Sequence, residues 1–386
     1  MEAMEALILD LHRETLAVMD TFKSFIWVDR YCGPGDFEIF MPVNTSALEF
    51  LAYDNYLITK NSDRMMIIEE ITITTDVENG NKLKVTGRSL ESLLDRRIIW
   101  NFTILTGNFQ NGIKKLLTEN AINPTNPDRK IPNLTFQAST DPSITSLEID
   151  AQFHGENLLD TINNLCTVEE LGWRILPNGV NSYVFQLYRG IDRSYEAEHT
   201  PVVIFSPEFD NLLESNYLQT LRSLKNVTLI AGEGEGAERK TASLGTATGL
   251  NRREIFTDAN GTSSNIEKGS IMDYEPLVCA VCGRGFAGCR PSAGDIICND
   301  CLEQQYHECL LQKGWETLAE TSITRAFEGE VDATRQFIYG RDFFIGDLVQ
   351  VVNEYGLGAK SRITEVVQSQ EDSGYTMIPT FTFSES

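Results

Sequence analysis

The chain has 386 residues, of which 41% are hydrophobic, and its 56 acidic and 32 basic side chains leave a formal net charge of −24. This length and apolar content predict a globular protein of about two or three domains and exclude a disordered chain. The charge disfavours non-specific binding of DNA or RNA, because phosphates are repelled over the whole surface. It suits a passage through which nucleic acid moves without sticking.

The first residues, MEAMEALILDLHRE, lack the basic start and the long apolar run of a signal peptide. No stretch of the chain approaches the roughly 20 apolar residues that span a bilayer. We therefore expect a protein made in a cytoplasm, with no stable membrane insertion.

Residues 1–105 are predicted to form an antiparallel β-domain. The segment LILDLHRETLAVMDTFKSFIWVDRY has the short period and the β-branched and aromatic content of two or three strands. The strand patterns FEIFMPV, YLITK, MMIIEEITITTDV and KLKVTG follow it. Asn79-Gly80 separates the last two and predicts a tight hairpin turn.

Helices are predicted to be few, and they fall mainly in an α+β domain at 106–205. SLESLLDRRI begins with Ser89, which is expected to act as the N-cap of a helix. NFQNGIKKLLTENA and ENLLDTINNLCTVEELGW have apolar residues three and four apart, as helices packed on a sheet do. Between them, NPTNPDRKIPNLTF predicts a surface loop. WRILPNG and SYVFQLYRG then predict two strands joined at Asn178-Gly179.

The remaining strands predict a second β-domain from 206–260 and 306–386. AGEGEGAERK follows the strand NVTLI as a glycine-rich phosphate loop does, but Glu233 and Glu235 repel phosphate, so we interpret it as a flexible loop. The last segment, GDLVQVVNEYGLGAKSRITEVVQSQEDSGYTMIPTFTF, predicts three antiparallel strands with turns at Tyr355-Gly356 and Ser373-Gly374. The whole fold is therefore predicted to be mainly β with a few helices.

Four cysteines are spaced as in a zinc ribbon. Cys279 and Cys282 form one CxxC pair, and Cys298 and Cys301 form a second. Two residues between paired thiolates let both sulfurs reach one tetrahedral ion. Four thiolates close the coordination sphere, so the expected zinc is structural and holds a small insertion at 261–305 in place.

Other readings of this segment stay open. The ligand set differs by one if a nearby soft donor replaces a cysteine, and the candidates are Cys289, His307 and Cys309. A ribbon that binds nucleic acid is a weaker interpretation, because only Arg284 and Arg290 lie between the pairs.

No catalytic or cofactor-binding residues are predicted. The four histidines form no HExxH pattern, and no serine lies in a GxSxG elbow. Cys32 and Cys166 are interpreted as small buried hydrophobes.

The order of several segments resembles the tail-hub, or baseplate-hub, proteins of siphoviruses, which are long-tailed bacteriophages. The resemblance covers nearly the whole chain, apart from the cysteine segment, and rests on SFIWVDRYCGPGDFEIFMP, MMIIEEITITTD, KLKVTGRSLESLLDRRII, LKNVTLIAGEGEG, GLNRREIFTDA and GRDFFIGDLVQVVNEYGLGAKSRITEVVQSQEDSGYTMIPTF.

The resemblance implies a virion protein that works at the tip of the phage tail. It implies a homotrimer of β-barrel domains related to tail-tube proteins, with two such domains per subunit forming a ring. The ring would join the tail tube, the distal tail protein and the tape measure to tip and receptor-binding proteins, and would line the channel for DNA ejection without binding DNA specifically.

Two other functions remain open at this stage. A tail-associated peptidase or muralytic enzyme would turn over peptide or peptidoglycan substrates. A zinc-ribbon nucleic-acid binder would be retained on a DNA column at moderate salt, whereas the charge of −24 predicts that the chain flows through.

Overall fold

A computed structural model describes residues 4–76, 80–179, 181–260, 271–272, 277–279, 281–286, 289–290, 298–322, 324–331, 336–356, 358–372 and 374–383. The α-helices are α1 (Thr45–Phe50), α2 (Phe109–Leu117), α3 (Pro142–Thr145), α4 (Leu158–Val168) and α5 (Asn299–Glu320). Short 3-10 helices cover Leu90–Arg96, Pro127–Arg129, Pro207–Phe209, Gly236–Glu238 and Gly249–Asn251, and Thr118–Ile122 is π-helical.

The strands are β1 (Ala6–Leu9), β2 (Thr15–Met19), β3 (Ser24–Arg30), β4 (Asp36–Pro42), β5 (Tyr56–Thr59), β6 (Met65–Asp76), β7 (Gly80–Ser89), β8 (Thr103–Asn108), β9 (Leu134–Gln137), β10 (Glu148–Phe153), β11 (Gly172–Pro177), β12 (Tyr183–Tyr188), β13 (Ile204–Phe205), β14 (Leu212–Thr220), β15 (Val227–Ala231), β16 (Thr241–Leu244), β17 (Glu254–Asp258), β18 (Ile271–Met272), β19 (Leu277–Val278), β20 (Gly285–Phe286), β21 (Cys289–Arg290), β22 (Thr324–Val331), β23 (Leu348–Val352), β24 (Gly358–Glu371) and β25 (Gly374–Phe383). The fold is mainly β with a few helices, as the sequence predicts.

One large sheet joins strands from both ends of the chain. Its hydrogen-bonded order is β14-β22-β25-β24-β3-β4-β7-β6-β5-β1-β2, and β23 pairs with both β24 and β13. The two halves meet where Glu365–Glu371 of β24 runs antiparallel to Ser24–Arg30 of β3. Among the described strands no pair closes this order into a ring, so the predicted barrels stay a prediction.

Each half of the large sheet has its own core. The N-terminal β module, which we define as β1–β7, buries an apolar cluster around Phe25, Trp27 and Phe37. The C-terminal β module, defined as β13, β14 and β22–β25, buries another around Phe205 and Phe381. Alternation along each strand sends these side chains to one face of the sheet.

In the segment between the two modules, helices α2 and α4 pack against two small sheets. One sheet consists of β8 and β10, and the other consists of β9, β11 and β12. The cluster that it buries, around Phe109, Leu165 and Trp173, extends to Tyr56 and Ile67 of the N-terminal β module. A further sheet consists of β15, β16 and β17. Helix α5 packs on it, and Ile230 of the sheet shares a buried cluster with Tyr306 and Leu310 of the helix. The domain boundaries at 105, 205, 260 and 305 stay predictions, and α5 runs across the last of them.

Most predicted elements are confirmed. The opening segment forms β1, β2 and β3, and the C-terminal segment forms the antiparallel strands β23, β24 and β25. Strands β6 and β7 pair antiparallel as a hairpin, although residues 77–79 of its turn lie outside the described residues. Ser373 of the last turn also lies outside them. In the described segments no helix has the length and apolar character needed to cross a bilayer.

The prediction for Ser89 is confirmed in position but not in its hydrogen bond. Ser89 is the N-cap residue of the 3-10 helix Leu90–Arg96, but its side chain makes no capping bond. Its hydroxyl instead accepts a hydrogen bond from the Gly35 N–H at 2.8 Å, while its own N–H donates to the Gly35 carbonyl at 2.9 Å. A partner that is distant in sequence, in the loop just before β4, has replaced the local cap.

Candidate metal centre

The structure brings the four cysteines of the predicted site together. The sulfurs of Cys279, Cys282, Cys298 and Cys301 all lie within 4.8 Å of one another. The sulfurs of Cys282 and Cys298 are 3.7 Å apart, close to the roughly 3.8 Å that separates two ligands of a tetrahedral ion at Zn–S distances of about 2.3 Å. Three of the four side chains are buried, and Cys282 is exposed.

A tight knuckle places the first pair. Gly283 has the left-handed φ of +69°, which glycine adopts without strain, and its N–H donates to the Cys279 carbonyl at 2.9 Å. The Cys279 N–H donates in turn to the Arg284 carbonyl at 3.0 Å. The second pair lies at the start of α5, where Cys298 is the N-cap residue and Cys301 is in the first turn.

Hydrogen bonds join the cysteines of the cluster, and one of them runs from the Cys298 N–H to the Cys279 sulfur at 3.3 Å. Backbone N–H groups of Cys282 and then Cys298 lower the pKa of Cys279 to about 6. Side-chain hydrogen bonds with Cys298 and Cys282 raise the pKa of Cys301 to about 12. Thiolates are the form that binds metal, so a cation at the centre of the cluster would replace the thiol protons. The donor set therefore fits one soft, tetrahedral ion.

The spare donors are not part of this cluster. Cys309 is buried further along α5, where its sulfur lies 4.0 Å from Oδ1 of Asp150, and burial raises its pKa to about 12. His307 is exposed on the same helix. The Cys289 side chain lies outside the described residues. In the part of the chain that the structure describes, the four predicted cysteines are the one group with metal-binding proximity.

Helix α5 fixes the second cysteine pair to the rest of the molecule. The Tyr306 hydroxyl accepts a hydrogen bond from the Glu233 N–H at 2.8 Å. Further along α5, Gly314 packs so tightly on Ile230 that a Cβ added to Gly314 would lie 2.6 Å from Cδ1 of Ile230. The far end of α5 is therefore anchored on β15 and its following loop, independently of the cysteines.

The sequence matches a known protein family along nearly its whole length. The profile of the family described as "Siphovirus ReqiPepy6 Gp37-like protein" matches residues 5–381. The chain belongs to this family. It is accordingly a structural protein of the phage-tail type and a component of the virion. The comparison with curated proteins found no match.

Two solved structures share the fold. The tail protein from Neisseria meningitidis MC58 is 11% identical, with a TM-score of 0.54 over 99% of this chain and 97% of that one. The 43 kDa tail protein of prophage MuSo2 from Shewanella oneidensis is 10% identical, with a TM-score of 0.55 over 98% of each chain. The siphovirus family member therefore has a tail-protein fold along nearly its full length.

Of the two cysteines that were interpreted as small buried hydrophobes, Cys166 is buried and Cys32 is half-buried. Burial raises the pKa of Cys32 to about 11 and that of Cys166 well above its usual range, so both thiols stay protonated. All four histidines are exposed. In the AGEGEGAERK loop, the Glu233 N–H donates to the Tyr306 hydroxyl at 2.8 Å.

Sequence reasoning missed one concave feature. A cavity of about 390 Å³ is lined by Asp95, Arg96, Arg97, Ile98, Trp100, Asn126, Asp128 and Arg129. Its arginines come from two segments about thirty residues apart, so no local spacing marks it. The only available signal was the exposed apolar sequence around Trp100, which lies between two predicted elements.

Proposed function

We propose that the chain is the hub of a siphovirus tail, a homotrimeric ring that joins the tail tube to the tip and surrounds the DNA channel. Its partners would be the tail tube, the distal tail protein, the tape measure and the tip proteins. Family membership and the tail-protein fold support a tail component, and the architecture of the subunit supports the ring.

The observation that carries the ring is the pair of β modules in one subunit. Each module has its own apolar core, and Tyr375 packs against both cores. The β3–β24 pairing holds the two modules edge to edge in one sheet. Two β modules per subunit, repeated three times, would make a ring with six β units, which suits contact with a hexameric tube.

The charge supports the channel. A subunit with a net charge of −24 repels a passing phosphate backbone, so DNA would move through a ring of such subunits without binding to it. Assembly of like-charged subunits costs free energy, and an acidic surface that faces the channel would be useful despite that cost.

The cysteine cluster is proposed to bind one structural zinc ion through Cys279, Cys282, Cys298 and Cys301. The buried sulfurs and the 3.7 Å Cys282–Cys298 separation fit a closed tetrahedral shell. Such an ion would fold the short hairpins β18–β21 and β19–β20, which are too small to be stable alone. The proposed zinc ion would therefore stabilise this segment of the subunit locally.

The decisive experiment determines the particle. Sedimentation and light scattering of the purified chain should give a trimer at high protein concentration, and negative-stain images should show a hollow three-fold ring. A monomer under all conditions, or a particle without a central opening, would overturn the hub proposal.

A parallel assay addresses catalysis. The chain should release no product from peptidoglycan or from peptide substrates, with or without added zinc, because a closed thiolate shell leaves no position for substrate. Turnover that follows the zinc content of the protein would favour the tail-associated hydrolase instead.

A further inference from the structure

The cavity around Arg97 and Arg129 is lined by more basic than acidic side chains, whereas the chain as a whole is strongly acidic. Its volume of about 390 Å³ lies in the range of small ligand-binding sites. Two of its charged groups are already paired elsewhere: Asp95 with Arg88 at 2.9 Å, and Arg96 with Asp54 at 3.1 Å. The groups that remain are two arginines and the single carboxylate of Asp128.

Both arginines are held in place without a carboxylate partner. Arg97 donates from Nε to the Arg129 carbonyl at 2.6 Å and from Nη1 to the Arg96 carbonyl at 2.8 Å. Arg129 donates from Nη2 to the Ile98 carbonyl at 2.6 Å. Among the described residues neither forms an ion pair, and the pKa of each is lowered, first by burial. A guanidinium has five N–H donors, so both have donors left for a ligand.

A buried amide organises the site. Asn120 is 2% exposed, and its Oδ1 accepts a hydrogen bond from the Trp100 N–H at 3.0 Å and from Arg129 Nη2 at 3.4 Å. Asn120 lies in the π-helical turn Thr118–Ile122, a distortion that is frequent at functional sites. The Arg129 guanidinium also lies 5.0 Å from the centre of the Trp100 ring. The arginine is therefore fixed from two sides.

Exposed apolar side chains line the cavity and continue along the chain from it. Ile98, Trp100, Phe102 and Ile104 are each between 41% and 60% exposed. Of these four, Ile98 and Trp100 line the cavity itself. Exposed apolar patches beside charged groups mark interaction sites in soluble proteins.

We propose that this surface binds an acidic peptide segment of a partner protein, with its carboxylates on Arg97 and Arg129 and a neighbouring apolar side chain on Ile98 and Trp100, which line the same cavity. Charge complementarity carries the choice: planar guanidinium forks match carboxylates in bidentate geometry. A nucleic acid fits less well, because its many phosphates extend beyond the cavity onto a surface of net charge −24. The site does not depend on the ring, and a chain that fails to form a trimer would still contain it.

The test uses a fluorescein-labelled peptide in which glutamates flank a leucine, and its binding to the full chain is measured by fluorescence anisotropy. A matched peptide with glutamines in place of the glutamates should bind at least about tenfold more weakly. Arg97→Gln and Arg129→Gln should each lower the affinity for the glutamate peptide about tenfold or more. Arg341→Gln removes an exposed arginine that pairs with Asp342, outside the cavity, and should leave the affinity unchanged.

Asp128→Asn is a second variant, needed because the arginine variants could lose affinity by misfolding. Asp128 is exposed, and its removal takes the one remaining carboxylate out of the cavity, so the glutamate peptide should bind more tightly. Equal binding of the two peptides, no gain with Asp128→Asn, or displacement of the peptide by a short single-stranded DNA at lower concentration than by unlabelled peptide would each overturn the proposal.

Discussion

At the scale of single residues, the cysteine cluster gives the sharpest prediction. Cys298→Ser should release the zinc, because removal of one of four thiolates opens the closed shell. Limited proteolysis should then cut within 279–301 while the rest of the chain resists, since Tyr306 still anchors α5. Zinc is measured by elemental analysis.

Cys309→Ser is the matched control for this change. Its sulfur faces Asp150 rather than the cluster, so this variant should keep its zinc. Zinc retained by Cys298→Ser would contradict the ligand assignment. Unfolding of the whole chain on chelation would contradict the local role of the ion.

Asp29 gives a prediction about pH. It is 2% exposed, and burial raises its pKa from 3.8 to about 6 despite the nearby Arg64 and hydrogen bonds from Trp27 and Ser62. The folded chain therefore binds a proton more tightly here than the unfolded chain does. This contribution stabilises the fold at low pH and is lost as pH rises from about 4 to about 6, at up to about 1.4 kcal/mol per pH unit.

The measurement compares Asp29→Asn with the wild type by urea unfolding across this pH range. The free energy of unfolding of the wild type, taken relative to the variant, should fall as pH rises and level off above about 6. Asp20→Asn changes an exposed carboxyl and serves as the control. A constant difference between wild type and Asp29→Asn at every pH would refute the argument.

At the scale of elements, a glycine allows β6 and β7 to pair around a bulge. The register shifts between Ile68 and Glu70 of β6, opposite Gly87 of β7. A Cβ on Gly87 would lie 1.8 Å from the Ile67 carbonyl oxygen, and backbone cannot move aside as a side chain does. Gly87→Ala should therefore destabilise the chain by about 3 kcal/mol or more.

Gly80→Ala is the matched control at the other end of β7. Gly80 has a left-handed φ of +76° and open space around it, so alanine there should cost only about 1–2 kcal/mol of backbone strain. Thermal and urea unfolding of both variants would check the order. A smaller loss at Gly87 than at Gly80 would show that the bulge is not built around the missing side chain.

The elements that the sequence predicted well are those whose signals are local. The alternation in LVQVV and the turn at Tyr355-Gly356 mark β23 and β24, and the CxxC spacing marks a cluster that the structure assembles. Ser89 carries an equally local signal, but its hydroxyl bonds to Gly35, a partner that no nearby residue reveals.

The start of α5 shows a second limit of the sequence. The sequence has a plainly helical character only in LLQKGWETLAET, from Leu310, whereas α5 begins at Asn299. In the first half of α5 the buried side chains are Cys301, Tyr306 and Cys309, and the cysteines read as metal donors rather than as core residues. The arginine cavity was hidden for a similar reason, since Arg97 and Arg129 meet only through the fold.

At the scale of the whole molecule, the net charge should control assembly. Copies that each carry −24 repel one another, and salt screens that repulsion. Raising the ionic strength from about 0.05 M to about 0.3 M should therefore strengthen trimer formation in sedimentation experiments. If the chain forms the proposed ring, we also expect the acidic excess to concentrate on its channel surface. Assembly that weakens with salt, or a neutral or basic channel in an electrostatic map, would contradict this account.

The pairing of β3 with β24 can form only late in synthesis, because β24 lies near the end of this sequence. Arg30 and Glu365, which bond across this pairing, are 335 positions apart. At translation rates of about 5–20 residues per second, β3 waits roughly 20–70 s for its neighbour. During that interval one edge of β3 presents unpaired backbone groups to every other nascent chain nearby. A ribosome-bound or truncated subunit is thus prone to aggregate through the exposed edge of β3. The edge is covered only after β24 has been synthesised and has paired with β3.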